Sequence, residues 1–145
     1  MTAAYPRLRA TAIDATHARS VAEFWRELLG YGYRRGDEPP PDGTADSRGE
    51  DWLVLVDQAG EPRLAVQQVG ELPRSTWPDP TVSQQLHLDL TVASVVELER
   101  QRDRATALGG TILENRIDDP EEALIVFADP AGHPFCIFVE GSPSG

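Results

Sequence analysis

Asp57-Gln58-Ala59-Gly60-Glu61-Pro62 and Asp129-Pro130-Ala131-Gly132-His133-Pro134 share one pattern, D-x-A-G-x-P. Each copy follows an apolar run (Trp52–Val56; Leu124–Ala128) and precedes another (Leu64–Val66; Phe135–Val139). An Ala-Gly step before x-Pro supplies the left-handed position and the rigid corner that a strand-to-strand turn needs. The repetition predicts one module written twice, and the place where two such halves meet is a natural binding cleft.

The flanking sequence repeats in the same order. Leu8–Ala15 reads as a strand. Ala18, Val21, Ala22, Trp25, Leu28 and Leu29 recur at helical spacing, with Thr16 as the cap and Gly30 and Gly32 as the stop. Tyr31–Arg35 is a short strand. Residues 36–50, with Pro39-Pro40-Pro41, read as a mobile loop. Asp51–Asp57 and Arg63–Val69 are strands around the first turn. Residues 70–83, with Pro73, Pro78 and Pro80, read as an extended linker.

Leu86, Leu88 and Leu90 then alternate with Gln85, His87, Asp89 and Thr91, the pattern of a half-buried strand. Ser94 and Glu97 form a capping box. Val95, Leu98, Arg102, Ala105 and Leu108 carry a helix that Gly109-Gly110 stops. Thr111–Arg116, Ala123–Ala128 and Phe135–Glu140 are three more strands, and the tail from Gly141 to Gly145 is disordered in composition.

The order is strand, helix, three strands, twice: module one at about 8–69, a linker at 70–83, module two at about 86–140, all in a single domain. A shift of 72 residues carries Asp57 to Asp129, Pro62 to Pro134 and Gln68 to Glu140. At the first strand a shift of 75 carries Ala12 to His87 and Asp14 to Asp89.

The chain has 145 residues, 40% apolar and 26% charged, which suits one compact domain. Its net charge of −11 repels phosphate backbones and anionic lipid, so nucleic acid and membrane surfaces are not expected partners. No apolar run is long enough to span a bilayer, and the first residues lack the apolar core of a signal peptide. Cys136 is the single cysteine, which fits a reducing cytoplasm.

Trp77-Pro78-Asp79-Pro80, Gln84-Gln85-Leu86-His87-Leu88-Asp89-Leu90 and Asp129-Pro130-Ala131-Gly132-His133-Pro134-Phe135-Cys136, set on this duplication, resemble the glyoxalase-like branch of the vicinal-oxygen-chelate superfamily, the glyoxalase/bleomycin-resistance/dioxygenase group. The resemblance implies an α+β fold of two βαβββ modules, with curved sheets around a cup and helices outside. In metal-using members four positions on the first and last strands of the modules hold a divalent cation. Carried onto this chain they fall on His87 and Glu140 in the second module and on Ala12 and Gln68 in the first.

Alanine cannot ligate, and Gln68 is a weak neutral donor. A Lewis-acid site generally needs about three protein ligands. Glyoxalase I and extradiol dioxygenase chemistry are therefore not assigned. No cofactor is expected, and any divalent metal at His87, Glu140 and Gln68 should be weakly held.

What remains is a small-molecule-binding protein that holds a partly apolar organic ligand. Gln68, Gln85, His87, Phe138 and Glu140 would line the cup, with Trp77 over its mouth. His87 and Glu140 are the candidate catalytic pair if the chain is instead a lyase or isomerase; a catalytically silent partner domain is the third reading. The modules could pair within one chain or across a homodimer. Each candidate also has a plain reading: His87 as a hydrogen-bonded strand residue, Glu140 as a solvated strand end, Cys136, on the strand face of Phe138 and Glu140, as a small cup-lining or core residue and not a nucleophile, His133 as a turn-stabilising or surface residue, and Asp14 and Asp89 as corner braces.

Overall fold

The structure, a computed structural model, describes residues 4–141, so residues 142–145 of the tail lie outside the described residues. Apolar alternation and the two turns give two units that divide between Glu71 and Leu72. Each has the same element order and its own four-stranded mixed sheet, and neither sheet is closed.

In the first unit β1 (Thr11–Ala15) leads into α1 (Ala18–Leu29), then β2 (Gly32–Tyr33), β3 (Trp52–Val56) and β4 (Pro62–Gln68), in sheet order β1-β4-β3-β2. Ala18, Val21, Ala22, Phe24, Trp25 and Leu28 are the buried face of α1. With Ile13, Leu53, Leu55, Leu64 and Val66 they make the core. Gly30 ends the helix in the left-handed conformation, at φ 67°. The helix starts at His17, which makes no side-chain cap; the sequence pointed to Thr16, which contributes only its carbonyl, to Gln68.

The loop over residues 36–50 is pinned rather than loose. Arg19 reaches from α1 to the Asp46 carboxylate at 2.8 and 2.9 Å and to the Asp37 carbonyl at 2.6 Å, and lies 4.9 Å from the Tyr33 ring centroid. The Asp37 side chain is 1% exposed; its carboxylate accepts from the Val54 N–H at 2.9 Å and pairs with Arg34 at 3.0 Å. Proline and glycine prevented regular structure here, but side chains outside the loop supply the order that periodicity cannot show.

In the second unit β5 (Leu88–Val92) leads into α2 (Val95–Ala107), then β6 (Thr111–Arg116), β7 (Leu124–Ala128) and β8 (Pro134–Val139), in order β5-β8-β7-β6. The Ser94 hydroxyl accepts from the Glu97 N–H at 3.2 Å, the expected cap of α2. Leu98 and Ala105 bury against a sheet in which every β7 residue is buried. The Phe127 and Phe135 rings stack at 5.1 Å, a contact worth about 1 kcal/mol beyond burial.

The segment expected as an extended linker is compact. A 3-10 turn spans Pro80–Val82, capped by Asp79, and Thr76 and Ser75 tie it to the Val82 carbonyl. Arg74 lies over the second turn and donates to the Pro130 carbonyl at 3.1 Å.

The two turns are built alike. The Asp57 carboxylate accepts the N–H groups of Ala59 and Glu61, and the Asp129 carboxylate those of Ala131 and His133. Gly60 and Gly132 take φ 81° and 95°. A nitrogen-bearing side chain completes each turn: Arg63 at 2.7 Å from Asp57, and the His133 ring at 2.7 Å from Asp129.

Candidate functional site

The ladders fix which residues of the two modules correspond, and they correct the repeat shifts. Thr11 pairs Leu64 in the first unit, and Leu88 pairs Phe135 in the second. In the first unit the β3–β4 register slips at Leu55/Val56, so that Val56 pairs Pro62 and Leu55 pairs Leu64, leaving Arg63 as an extra residue. The second unit has no slip there. After this bulge Gln68 corresponds to Val139, and Glu140 to Val69. Matching backbone bonds agree: Val69 N–H donates to Ala15, and Glu140 N–H to Val92. On the first strand Ala12 corresponds to Asp89 and Asp14 to Thr91, not to His87 and Asp89.

A one-residue slip turns a side chain to the other face. Gln68 thus lies on the helix side of its sheet, where it accepts the Ala18 N–H at 2.9 Å and donates to the Thr16 carbonyl at 2.7 Å. Its amide is committed to the β1–α1 corner, not turned toward a ligand as the resemblance implied.

In the second unit the corresponding Val139 marks the helix side. Period-two alternation then puts Cys136, Phe138 and Glu140 of the β8 end on the opposite face, with His87, Asp89 and Thr91 from the β5 side. Side-chain contacts agree: the Thr91 hydroxyl donates to the Glu140 carboxylate at 3.2 Å, and His87 Nε2 lies 3.2 Å from Asp89 Oδ1. Asp89 pairs Cys136 across the ladder. The ligand atoms of His87, Asp89 and Cys136 lie within 4.8 Å of one another. Burial and the neighbouring Asp89 carboxylate push the Cys136 thiol up to about 11, so it is protonated and no nucleophile at neutral pH.

His87 and Glu140 share this face but do not meet. His87 falls level with Pro134, roughly 20 Å along the strands from Glu140 at about 3.3 Å per residue. Asp89 partners the first and Thr91 the second, so the expected His87–Glu140 acid–base pair is not formed. Asp89, read as a corner brace, sits in mid-strand instead. An open groove of about 790 Å³ is lined by Val95, Ile117, Ala123 and Val139 together with the acidic Asp118, Glu121 and Glu140.

Gln85 is exposed ahead of β5. Trp77 is half-buried in the compact 72–83 segment and donates its backbone N–H to Ser75. Sequence reasoning placed Cys136 on the face of Phe138 and Glu140 as a cup-lining or core residue and read Asp89 only as a corner brace, without bringing the two together. The alternation His87, Asp89, Thr91 was the available signal for Asp89; the partner strand's register, which alone brings Cys136 alongside, is not written in either strand.

Residues 10–138 match the family model described as a glyoxalase-like domain. No curated protein matches the sequence. Among solved structures, a glyoxalase/bleomycin resistance protein/dioxygenase family enzyme from Burkholderia phytofirmans PsJN superposes with a TM-score of 0.64 at 12% identity, over 90% of this chain and 96% of that one. The genomically encoded fosfomycin resistance protein FosX from Listeria monocytogenes, complexed with Mn(II) and 1S,2S-dihydroxypropylphosphonic acid, gives 0.64 at 15% identity, over 93% and 92%. A glyoxalase-related enzyme from Fulvimarina pelagi gives 0.60 at 18%, over 94% and 89%. At these identities the structures share the fold.

Proposed function

The chain belongs to the glyoxalase-like domain family, and from that premise we propose that it binds a small, partly apolar organic molecule on the second module's sheet face opposite α2. One observation carries the reading: on that face polar groups alternate with an apolar wall. His87, Asp89, Thr91 and Glu140 supply donors and acceptors, and half-buried Phe138 lies among them. A few convergent polar groups on an apolar surface fix a small ligand's orientation. The paired imidazole and carboxylate of His87 and Asp89 also offer a place to hold or pass a proton.

The first module offers Ala10, Ala12 and Ala65 at the positions of His87, Asp89 and Cys136. A ligand set drawn equally from both modules is therefore not supplied, which supports neither glyoxalase I nor extradiol dioxygenase chemistry. Fold alone does not decide among the remaining small-molecule roles.

A thermal-shift screen in chelator against small organic molecules tests the reading, because a ligand of the native state raises the melting temperature with its concentration. His87→Ala and Phe138→Ala should reduce the shifts produced by hits while melting close to the parent. Hits whose shifts are the same in both variants, or a panel without hits, would count against it.

A further inference from the structure

We propose that the segment ahead of β1, Tyr5-Pro6-Arg7-Leu8-Arg9, docks into the acidic groove of the second unit of another copy of this chain, so that two copies exchange the segment reciprocally. Residues 4–9 are all exposed. Tyr5 and Leu8, at 82% and 89%, are the most exposed large apolar side chains among the described residues. Arg7 and Arg9 form no ion pair among the described residues. Two apolar side chains and two positive charges thus stand in water within five consecutive residues, and docking would cover the apolar pair.

The groove has the complementary character. It lies where the connection from β6 to β7 meets the start of α2 and the end of β8. Val95, Ile117 and Val139 give it an apolar wall, and exposed Val96 extends that apolar surface beyond it. No lysine or arginine lines it. Asp119 is paired with Arg116 at 2.7 Å and Glu140 accepts from Thr91, but Asp118 and Glu121 are exposed and form no ion pair among the described residues. The positive end of the α2 dipole, equivalent to about half a charge, is outweighed by these two whole carboxylates.

The segment suits such a groove. Pro6 fixes its own backbone and holds Tyr5 extended, so little conformational freedom is lost on docking. In a polyproline II path, with three residues per turn, Tyr5 and Leu8 fall on one face. They would enter along the apolar wall while Arg7 and Arg9 reach Asp118 and Glu121. A groove of about 790 Å³ is within the range of roughly 300–1,000 Å³ that encloses a drug-sized organic body, room enough for these side chains. A second copy is the occupant the charges favour, because each copy carries both the basic segment and the acidic groove. Reciprocal exchange between two copies closes as a dimer. Two short segments make a small interface, so the dimer should be weak, and its charge pairs should make it sensitive to salt.

The test is sedimentation of the full chain across the micromolar range at low and high salt. A dimer should form at low salt and dissociate at high salt. Arg7→Glu with Arg9→Glu should raise its dissociation constant about tenfold or more, and Asp118→Lys with Glu121→Lys should do the same. All four sites are exposed, so folding is not at stake. Combining the two pairs should restore the dimer, which a change in folding alone would not do. Tyr5→Ala with Leu8→Ala should weaken the dimer while leaving its salt dependence in place. A monomer at every concentration would overturn the proposal and leave the groove to a different occupant. A dimer of parental strength in both charge reversals, or one that the combination fails to restore, would overturn it as well. The screen for organic ligands succeeds or fails independently of this result.

Discussion

Gln68 caps helix α1 from another strand: its amide oxygen accepts the Ala18 N–H at 2.9 Å, while its amide nitrogen donates to the Thr16 carbonyl at 2.7 Å. The helix has no local cap, since His17 makes none. Gln68→Leu should therefore leave two backbone groups unpaired and cost about 1–3 kcal/mol in urea denaturation. It should leave the second unit's sheet unaltered. An unchanged denaturation midpoint would show that the corner does not need this residue.

Gly60 and Gly132 occupy the same turn position with different surroundings. A Cβ at Gly132 would lie 2.4 Å from Arg74 Cγ, whereas nothing lies within 4 Å of one at Gly60. Both have positive φ, so alanine at either should cost about 1–2 kcal/mol in backbone strain. Gly132→Ala should cost more than Gly60→Ala, and adding Arg74→Ala should recover the excess. A double-mutant cycle measures the coupling, and a coupling of zero would mean that Arg74 moves aside freely.

The Arg19–Asp46 pair gives the first unit an acid-sensitive anchor. The hydrogen bond from Arg19 lowers the Asp46 pKa below the usual carboxylate range. Stability from a lowered carboxyl is present above the unfolded value, about pH 4, and is lost as pH falls through the folded value. Amide exchange corrected for intrinsic rates should show weaker protection across Asp37–Gly49 as pH falls below about 4. Asp46→Asn should remove that dependence. A variant with the parent's acid profile would place the sensitivity elsewhere.

Asp57 and Asp129 make matching turns but differ in burial, with Asp129 fully buried and the Asp57 side chain 16% exposed. Asp129→Ala strands the Ala131 and His133 N–H groups away from water and should cost about 2–4 kcal/mol. Asp57→Ala should cost about 1 kcal/mol, because water can reach its turn. Equal melting temperatures for the two variants would contradict the difference.

The duplication was legible because each turn needs an Asp acceptor, a left-handed Gly and a Pro, a combination rarely met by chance. Registry was harder to read, for two separate reasons. In β4 the extra Arg63 is invisible to a pattern anchored on the turn, so Gln68 was assigned to the wrong face. In β1, repeat shifts of 75 and 77 both preserve alternation, so Ala12 could not be matched uniquely to His87 or Asp89. Only hydrogen-bonded pairing across the ladder distinguishes them. The pinned 36–50 loop was unreadable for a similar reason: its order comes from Arg19, far upstream in sequence.

Among the described residues every ladder pairing closes inside its own half of the chain: the parallel β1–β4 pair in the first, the parallel β5–β8 pair in the second. Each half can therefore accumulate substitutions on the sheet face opposite its helix without disturbing a hydrogen bond in the other's sheet. Ala10, Ala12 and Ala65 against His87, Asp89 and Cys136 show that freedom: one copy carries only methyl groups where its twin carries an imidazole, a carboxylate and a thiol. Specialisation of this kind needs no new fold, only a redundant one.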